Sequence, residues 1–158
     1  MIHIAAISDI EDHQSLEYLL RFDTIHGRFP DEVSIKEGNL YVVGQVWDSG
    51  MTGYNVAVVA KYDPAGNSLW EYRYRDSNYS DALKVQLDST GAPVVMAMGR
   101  NAAGDMDLII KHFDPNGVLV SSQIYDYLGN DIPKDFKLDN DDEMYVLIDS
   151  DNDYLTAK

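Results

Sequence analysis

Tyr54–Trp70 reads YNVAVVAKYDPAGNSLW, and Met106–Val120 reads MDLIIKHFDPNGVLV. Each stretch holds an apolar run, an aromatic, an Asp-Pro-x-Gly turn and a second apolar run. Tyr62, Asp63, Pro64 and Gly66 match Phe113, Asp114, Pro115 and Gly117 at a constant offset of 51 residues. A fixed period of that size predicts a repeat architecture. The turn has a physical basis. Proline fixes φ at the second turn position, the Asp side chain accepts hydrogen bonds from the turn backbone, and Gly takes the positive φ that closes a hairpin.

Working outward, three further hairpin patterns appear. Val33, Ile35, Leu40, Val42 and Val43 flank Lys36-Glu37-Gly38-Asn39. Asp81–Leu87 and Pro93–Met98 flank Asp88-Ser89-Thr90-Gly91. Phe136–Leu138 and Met144–Ile148 flank Asp139-Asn140-Asp141-Asp142. The second and third copies keep the same offset. The first lies two residues further away, because the loop Val46–Gly53 is longer than Gly99–Gly104. Each unit therefore holds four strands. The first has Asp31–Lys36, Leu40–Gln45, Tyr54–Tyr62 and Ser68–Tyr74. The second has Asp81–Leu87, Pro93–Met98, Met106–Phe113 and Val118–Tyr125. The third begins near Ile132 and reaches Tyr154–Lys158. Four-stranded units of roughly 40–50 residues are the mark of propeller blades. The expected fold is mostly β: tandem antiparallel blade-like units, two full and one partial, at about 31–75, 81–125 and 132–158.

A βα segment, 1–30, precedes them. Ile2–Ile7 reads as a buried strand. Leu16, Leu19 and Leu20 recur at helical spacing within Glu11–Phe22, with Asp9 or Asp12 as cap. Gly27 and Pro30 then break the pattern.

Composition excludes several function classes. With 12 basic and 27 acidic residues, the formal charge is −15, which argues against nucleic acid or anionic membrane as a partner. There is no cysteine, so disulfides, thiolate metal sites and cysteine nucleophiles are excluded. The opening MIHIAAISDIED lacks a basic region and a long apolar stretch, so no signal peptide is expected. His3, His13, His26 and His112 show no zinc spacing. His112 stands at the place of Lys61, where an exposed polar residue is expected. Asp149-Ser150-Asp151-Asn152-Asp153 resembles the opening of a calcium loop. Tyr154 takes the place where an EF-hand needs Gly, so a solvated acidic loop is expected there. Trp70, Tyr72 and Tyr74 share one strand face and are expected to pack between units rather than stack on sugar.

The region 31–158 resembles the bacterial β-propeller repeats labelled SBBP, through Tyr41-Val42-Val43-Gly44, Lys61-Tyr62-Asp63-Pro64-Ala65-Gly66 and Leu69-Trp70. The second copy keeps Asp107, Phe113-Asp114 and Gly117 but has Ser121 in place of Trp70. The resemblance implies an extracellular array without shared catalytic residues; the sequence itself leaves the compartment open. Residues 2–46 resemble the NAD-binding domain of glyceraldehyde-3-phosphate dehydrogenase, through Leu19-Leu20-Arg21-Phe22-Asp23 and His26-Gly27-Arg28-Phe29-Pro30. That resemblance implies that Asp9 hydrogen-bonds an adenosine ribose, with Ser8 where an Asn is usual. No G-x-G occurs, and the family's catalytic cysteine has no counterpart here. The two resemblances overlap at Asp31–Gln45, the pattern of a recombined or engineered chain, with a natural fragment or an unusual fusion as the alternatives.

The function expected from the sequence is a structural or interaction scaffold, not an enzyme, without cofactor or metal. Its expected partner is a second copy of itself or another protein, because incomplete blades expose apolar faces and strand edges. The alternatives are a residual nucleotide-binding fragment using Asp9, with NAD affinity no tighter than about millimolar, and a carbohydrate- or peptide-binding module.

Overall fold

The structure is a computed structural model that describes residues 32–36, 38–48, 54–76, 79–127, 129–150 and 153–157. The expected βα segment, including the helix expected within Glu11–Phe22 and Asp9, lies outside these residues. Among the described residues there is no helix; eleven strands form three separate sheets. The first sheet orders β1 (Glu32–Lys36), β2 (Asn39–Asp48), β3 (Tyr54–Tyr62) and β4 (Ser68–Tyr74) in sequence. The second repeats this with β5 (Ser80–Leu87), β6 (Pro93–Arg100), β7 (Met106–Phe113) and β8 (Leu119–Tyr125). The third has β9 (Asp131–Leu138), β10 (Met144–Ser150) and β11 (Asp153–Ala157). Every pairing is antiparallel. The mostly β fold and its division into four-stranded units agree with the sequence reading.

The turns carry out the chemistry read from Asp-Pro-x-Gly. Asp63 Oδ1 accepts the Ala65 and Asn67 amides at 2.9 and 2.8 Å, and the Gly66 amide donates to the Asp63 carbonyl. Asp114 does the same with Asn116, Val118 and Gly117. Asp88 and Asp139 reproduce the pattern without a proline. The residue closing each turn has positive φ: +83° at Gly66, +85° at Gly91 and Gly117, and +60° at Asp142, which stands where the others have glycine.

The core lies in two seams between sheets. In the first, Tyr41, Val43, Ala57, Val59 and Tyr74 meet Ala82, Val85, Val95, Ala97, Ile109 and Phe113. In the second, Val94, Met96, Leu108 and Ile110 meet Phe136, Val146 and Ile148. Strands whose two faces both meet another sheet need apolar residues on both, and β6 and β7 supply them. The second seam repeats the first: Leu108 follows Ala57, Phe136 follows Val85 and Val146 follows Val95, each by 51 residues. Polar clasps bridge both seams. Lys61 Nζ and Trp70 Nε1 donate to the Pro115 carbonyl at 3.4 and 3.3 Å across the first. Lys84 pairs with Asp135 across the second, where Gln86 also bonds the Phe136 carbonyl and the Leu138 amide.

Candidate functional site

The most unusual chemistry among the described residues lies where the second sheet hands over to the third. Asp107 is the second residue of β7, Asp126 follows β8, and Asp131 opens β9. Each offers a carboxylate oxygen, and the three oxygens lie within 4.8 Å of one another. Asp131 is 0% exposed and Asp107 5%, whereas Asp126 reaches solvent. A carboxylate is rarely buried unless it is paired. Asp131 Oδ2 accepts the Tyr127 amide at 2.6 Å, but its buried Oδ1 has no hydrogen-bond partner. Asp107 Oδ1 accepts the Asn101 side-chain amide at 3.0 Å. Burial and the neighbouring Asp126 and Asp131 push the Asp107 carboxyl above its ordinary value, and the Asn101 bond only partly opposes them. A cavity of about 350 Å³ adjoins Asp107, walled by Asp76, Arg100, Asn101, Ile109 and Ile124. Such a cluster has two ways to relieve its repulsion: share a proton or hold a cation.

A second buried charge lies in the first seam. Lys111 is 2% exposed; its Nζ donates to Asp76 Oδ1 at 3.0 Å and Ser122 Oγ at 2.9 Å, and sits 4.5 Å from the Tyr74 ring centre. Burial, then the charges of Asp76 and Asp81, hold the Tyr74 phenol far above its ordinary pKa. Its hydroxyl is buried without a hydrogen-bond partner.

The residues singled out from the sequence fare differently. Asp9, His3, His13 and His26 lie outside the described residues. His112 is half-buried rather than exposed. The acidic run 149–153 is split by a hairpin in which Ser150 pairs with Asp153, and Asp149 forms an ion pair with Lys134 at 3.1 Å. Residues 151 and 152 lie outside the description. Trp70, Tyr72 and Tyr74 are packed as expected: Trp70 stacks on Phe113 at 6.4 Å between centroids, and Tyr72 meets the same ring edge-on at 5.1 Å. The carboxylate cluster escaped the sequence reading, which noted Asp107 only as a residue shared with the SBBP pattern. The signal was a departure from the repeat. The positions 51 residues earlier are Val56, Arg75 and Ser80, none of them acidic.

Comparison with known proteins supports one of the two resemblances. No protein-family model matches the chain, so the SBBP likeness has no support beyond the residues quoted. A segment of the chain is similar to glyceraldehyde-3-phosphate dehydrogenase. It is 39% identical over 69 residues to the protein from Serratia odorifera, covering 44% of this chain and 20% of that one. It is 36% identical over 90 residues to the protein from Bacteroides fragilis, covering 57% and 22%. It is 37% identical over 70 residues to the protein from Klebsiella pneumoniae, covering 44% and 20%. The chain thus spans about a fifth of the length of these relatives. Two expectations change. The expectation that the chain is not an enzyme is corrected, because the relatives it matches over 44–57% of its length are named for an enzyme, glyceraldehyde-3-phosphate dehydrogenase. The scaffold reading finds no support in the comparisons, and the chain holds a dehydrogenase-related segment.

Proposed function

We propose that the chain is a dehydrogenase-related nucleotide-binding protein, in which Asp9 receives hydrogen bonds from the hydroxyls of an adenosine ribose. The observation that carries this reading is the 36–39% identity to glyceraldehyde-3-phosphate dehydrogenases over 69–90 residues. The chemistry of the residue fits: a carboxylate accepts from both hydroxyls of a vicinal diol and repels a 2′-phosphate, which favours NAD over NADP. A charge-assisted hydrogen bond contributes about 1.5–3 kcal/mol, and millimolar affinity corresponds to about 4 kcal/mol. One such contact, with modest stacking beside it, therefore supports binding in the millimolar range. A Gly-rich loop at a helix N-terminus, which adds the pyrophosphate contacts in tight dinucleotide sites, has no match in this sequence.

The test is a chemical-shift titration of the full chain with NAD, NADP and ADP-ribose. The reading expects saturable shifts with NAD and ADP-ribose, weaker ones with NADP, and their loss in Asp9→Ala. Titration curves for Asp9→Ala that overlay those of the parent would remove Asp9 from the site, and no saturation up to the solubility of the nucleotide would end the proposal.

A further inference from the structure

We propose that Asp107, Asp126 and Asp131 bind one divalent cation of the calcium class at the junction of the second and third sheets. The inference rests on the described sheets alone and is independent of the nucleotide reading.

Three observations carry it. The first is distance. Calcium takes oxygen ligands at about 2.3–2.6 Å, so two ligands of one ion lie no more than about 5 Å apart. The three carboxylates meet that limit at 4.8 Å. The second is the orphan oxygen. Asp131 is fully buried, and its Oδ1 has no hydrogen-bond partner. A buried carboxylate oxygen without a donor is strongly disfavoured, and an ion shared with Asp107 and Asp126 supplies the missing partner.

The third is an internal control. The same place at the preceding junction holds Val56, Arg75 and Ser80, each 51 residues before its acidic counterpart. Ser80 Oγ accepts the Asp76 amide at 2.9 Å, as Asp131 Oδ2 accepts the Tyr127 amide at 2.6 Å. A serine thus suffices for the turn, and a valine serves where Asp107 stands. The fold does not require the carboxylates, and what they add over Val56 and Ser80 is ligand oxygens. Carboxylate oxygens select a hard cation. Calcium suits this set better than magnesium, because it tolerates irregular geometry and exchanges its waters for several protein oxygens, whereas magnesium demands a near-ideal octahedron.

The test uses the full chain stripped with a chelator, titrated calorimetrically with calcium chloride and then with magnesium chloride at about 0.15 M salt. Binding to one site is expected, with a melting temperature raised by about 5–10 °C when free calcium is 100 times the dissociation constant. Magnesium should bind at least about tenfold more weakly. Asp131→Ser, which installs the residue of the preceding junction, should abolish the calcium response. Asp126→Asn alters a solvent-exposed residue and leaves the fold intact, and it should weaken binding about tenfold or more. Should Asp131→Ser fail to fold, Asp126→Asn decides. Absence of calcium heat in the parent overturns the proposal, as does a calcium affinity unchanged in Asp126→Asn or a melting shift in Asp131→Ser equal to the parent's. Equal affinity for magnesium would overturn the assignment to the calcium class.

Discussion

Gly66 and Gly117 close the same turn in successive units with φ of +83° and +85°, yet they face different surroundings. A Cβ added at Gly66 meets nothing within 4 Å, whereas one added at Gly117 falls 2.5 Å from Trp70 Cδ2 and 2.8 Å from Cγ and Cε3. Replacing either by alanine forces a left-handed backbone on an L-residue, at about 1–2 kcal/mol. Only Gly117→Ala also drives a methyl into the indole. Trp70 has little room to yield. It stacks on Phe113, meets Tyr41 edge-on at 6.2 Å, and donates to the Pro115 carbonyl. Overpacking of a fitted contact costs about 1–3 kcal/mol more. The expected losses are therefore about 1–2 kcal/mol for Gly66→Ala and about 2–5 kcal/mol for Gly117→Ala. Urea unfolding of both variants, followed by tryptophan fluorescence, measures them. Adding Trp70→Ala to each background closes a double-mutant cycle, in which the excess at Gly117 should disappear. Equal losses for the two glycine variants would refute the packing of the second unit's turn on the first unit's tryptophan.

Asp76→Ala leaves Lys111, 2% exposed, without its carboxylate, so it should destabilise by about 3 kcal/mol and Lys111→Met in that background should recover most of the loss; a parent-like melt of Asp76→Ala contradicts the buried pair. Hydrogen bonds from Asn67 hold the Asp63 carboxyl below its ordinary 3.8, and the Val118 amide does so for Asp114. At Asp88 burial pushes upward but is outweighed by Thr90 and Ala92. A depressed folded pKa stabilises fully above the unfolded value and is lost as pH falls through the folded one, so the urea midpoint should hold from neutral pH to about 5 and decline below about 4, and a flat profile to lower pH would disprove it. We propose self-association through the exposed Val120 and Ile124 of the outer strand β8 and Val118 just before it, since an unpaired strand edge with apolar side chains is a template for a second chain. Light scattering after size exclusion should give a dimer, strengthened by salt that screens the −15 charge; a monomer at low and high salt rejects it.

Much of the fold was legible because its determinants are local. Every strand pairs with a neighbour in sequence, and the turns are Asx-led motifs whose hydrogen bonds span four residues at most. Repetition at 51 residues then marks the equivalent strands. The lengths of β2 and β6 were underread. Val46, Trp47, Gly99 and Arg100 extend the ladders beyond the apolar runs, and backbone pairing there does not depend on side-chain polarity. The carboxylate cluster was illegible for a different reason. Asp107 and Asp126 are brought together by the β7–β8 hairpin, and Asp131 by the handover to β9, so no spacing motif announces them. Lys111 was hidden likewise: a lysine within LIIKHF reads as exposed until Asp76, from the junction after β4, is seen to reach its Nζ.

The buried Lys111–Asp76 pair and the proposed cation site depend on sheets stacked in register across two seams. Nuclear Overhauser contacts test that stacking most directly. The account predicts cross-peaks from the Trp70 indole to the Gly117 α-protons across the first seam. It also predicts cross-peaks from the Gln86 side-chain amide to the Leu138 amide proton across the second. Contacts confined to strand neighbours within each sheet, with neither cross-peak present, would contradict it.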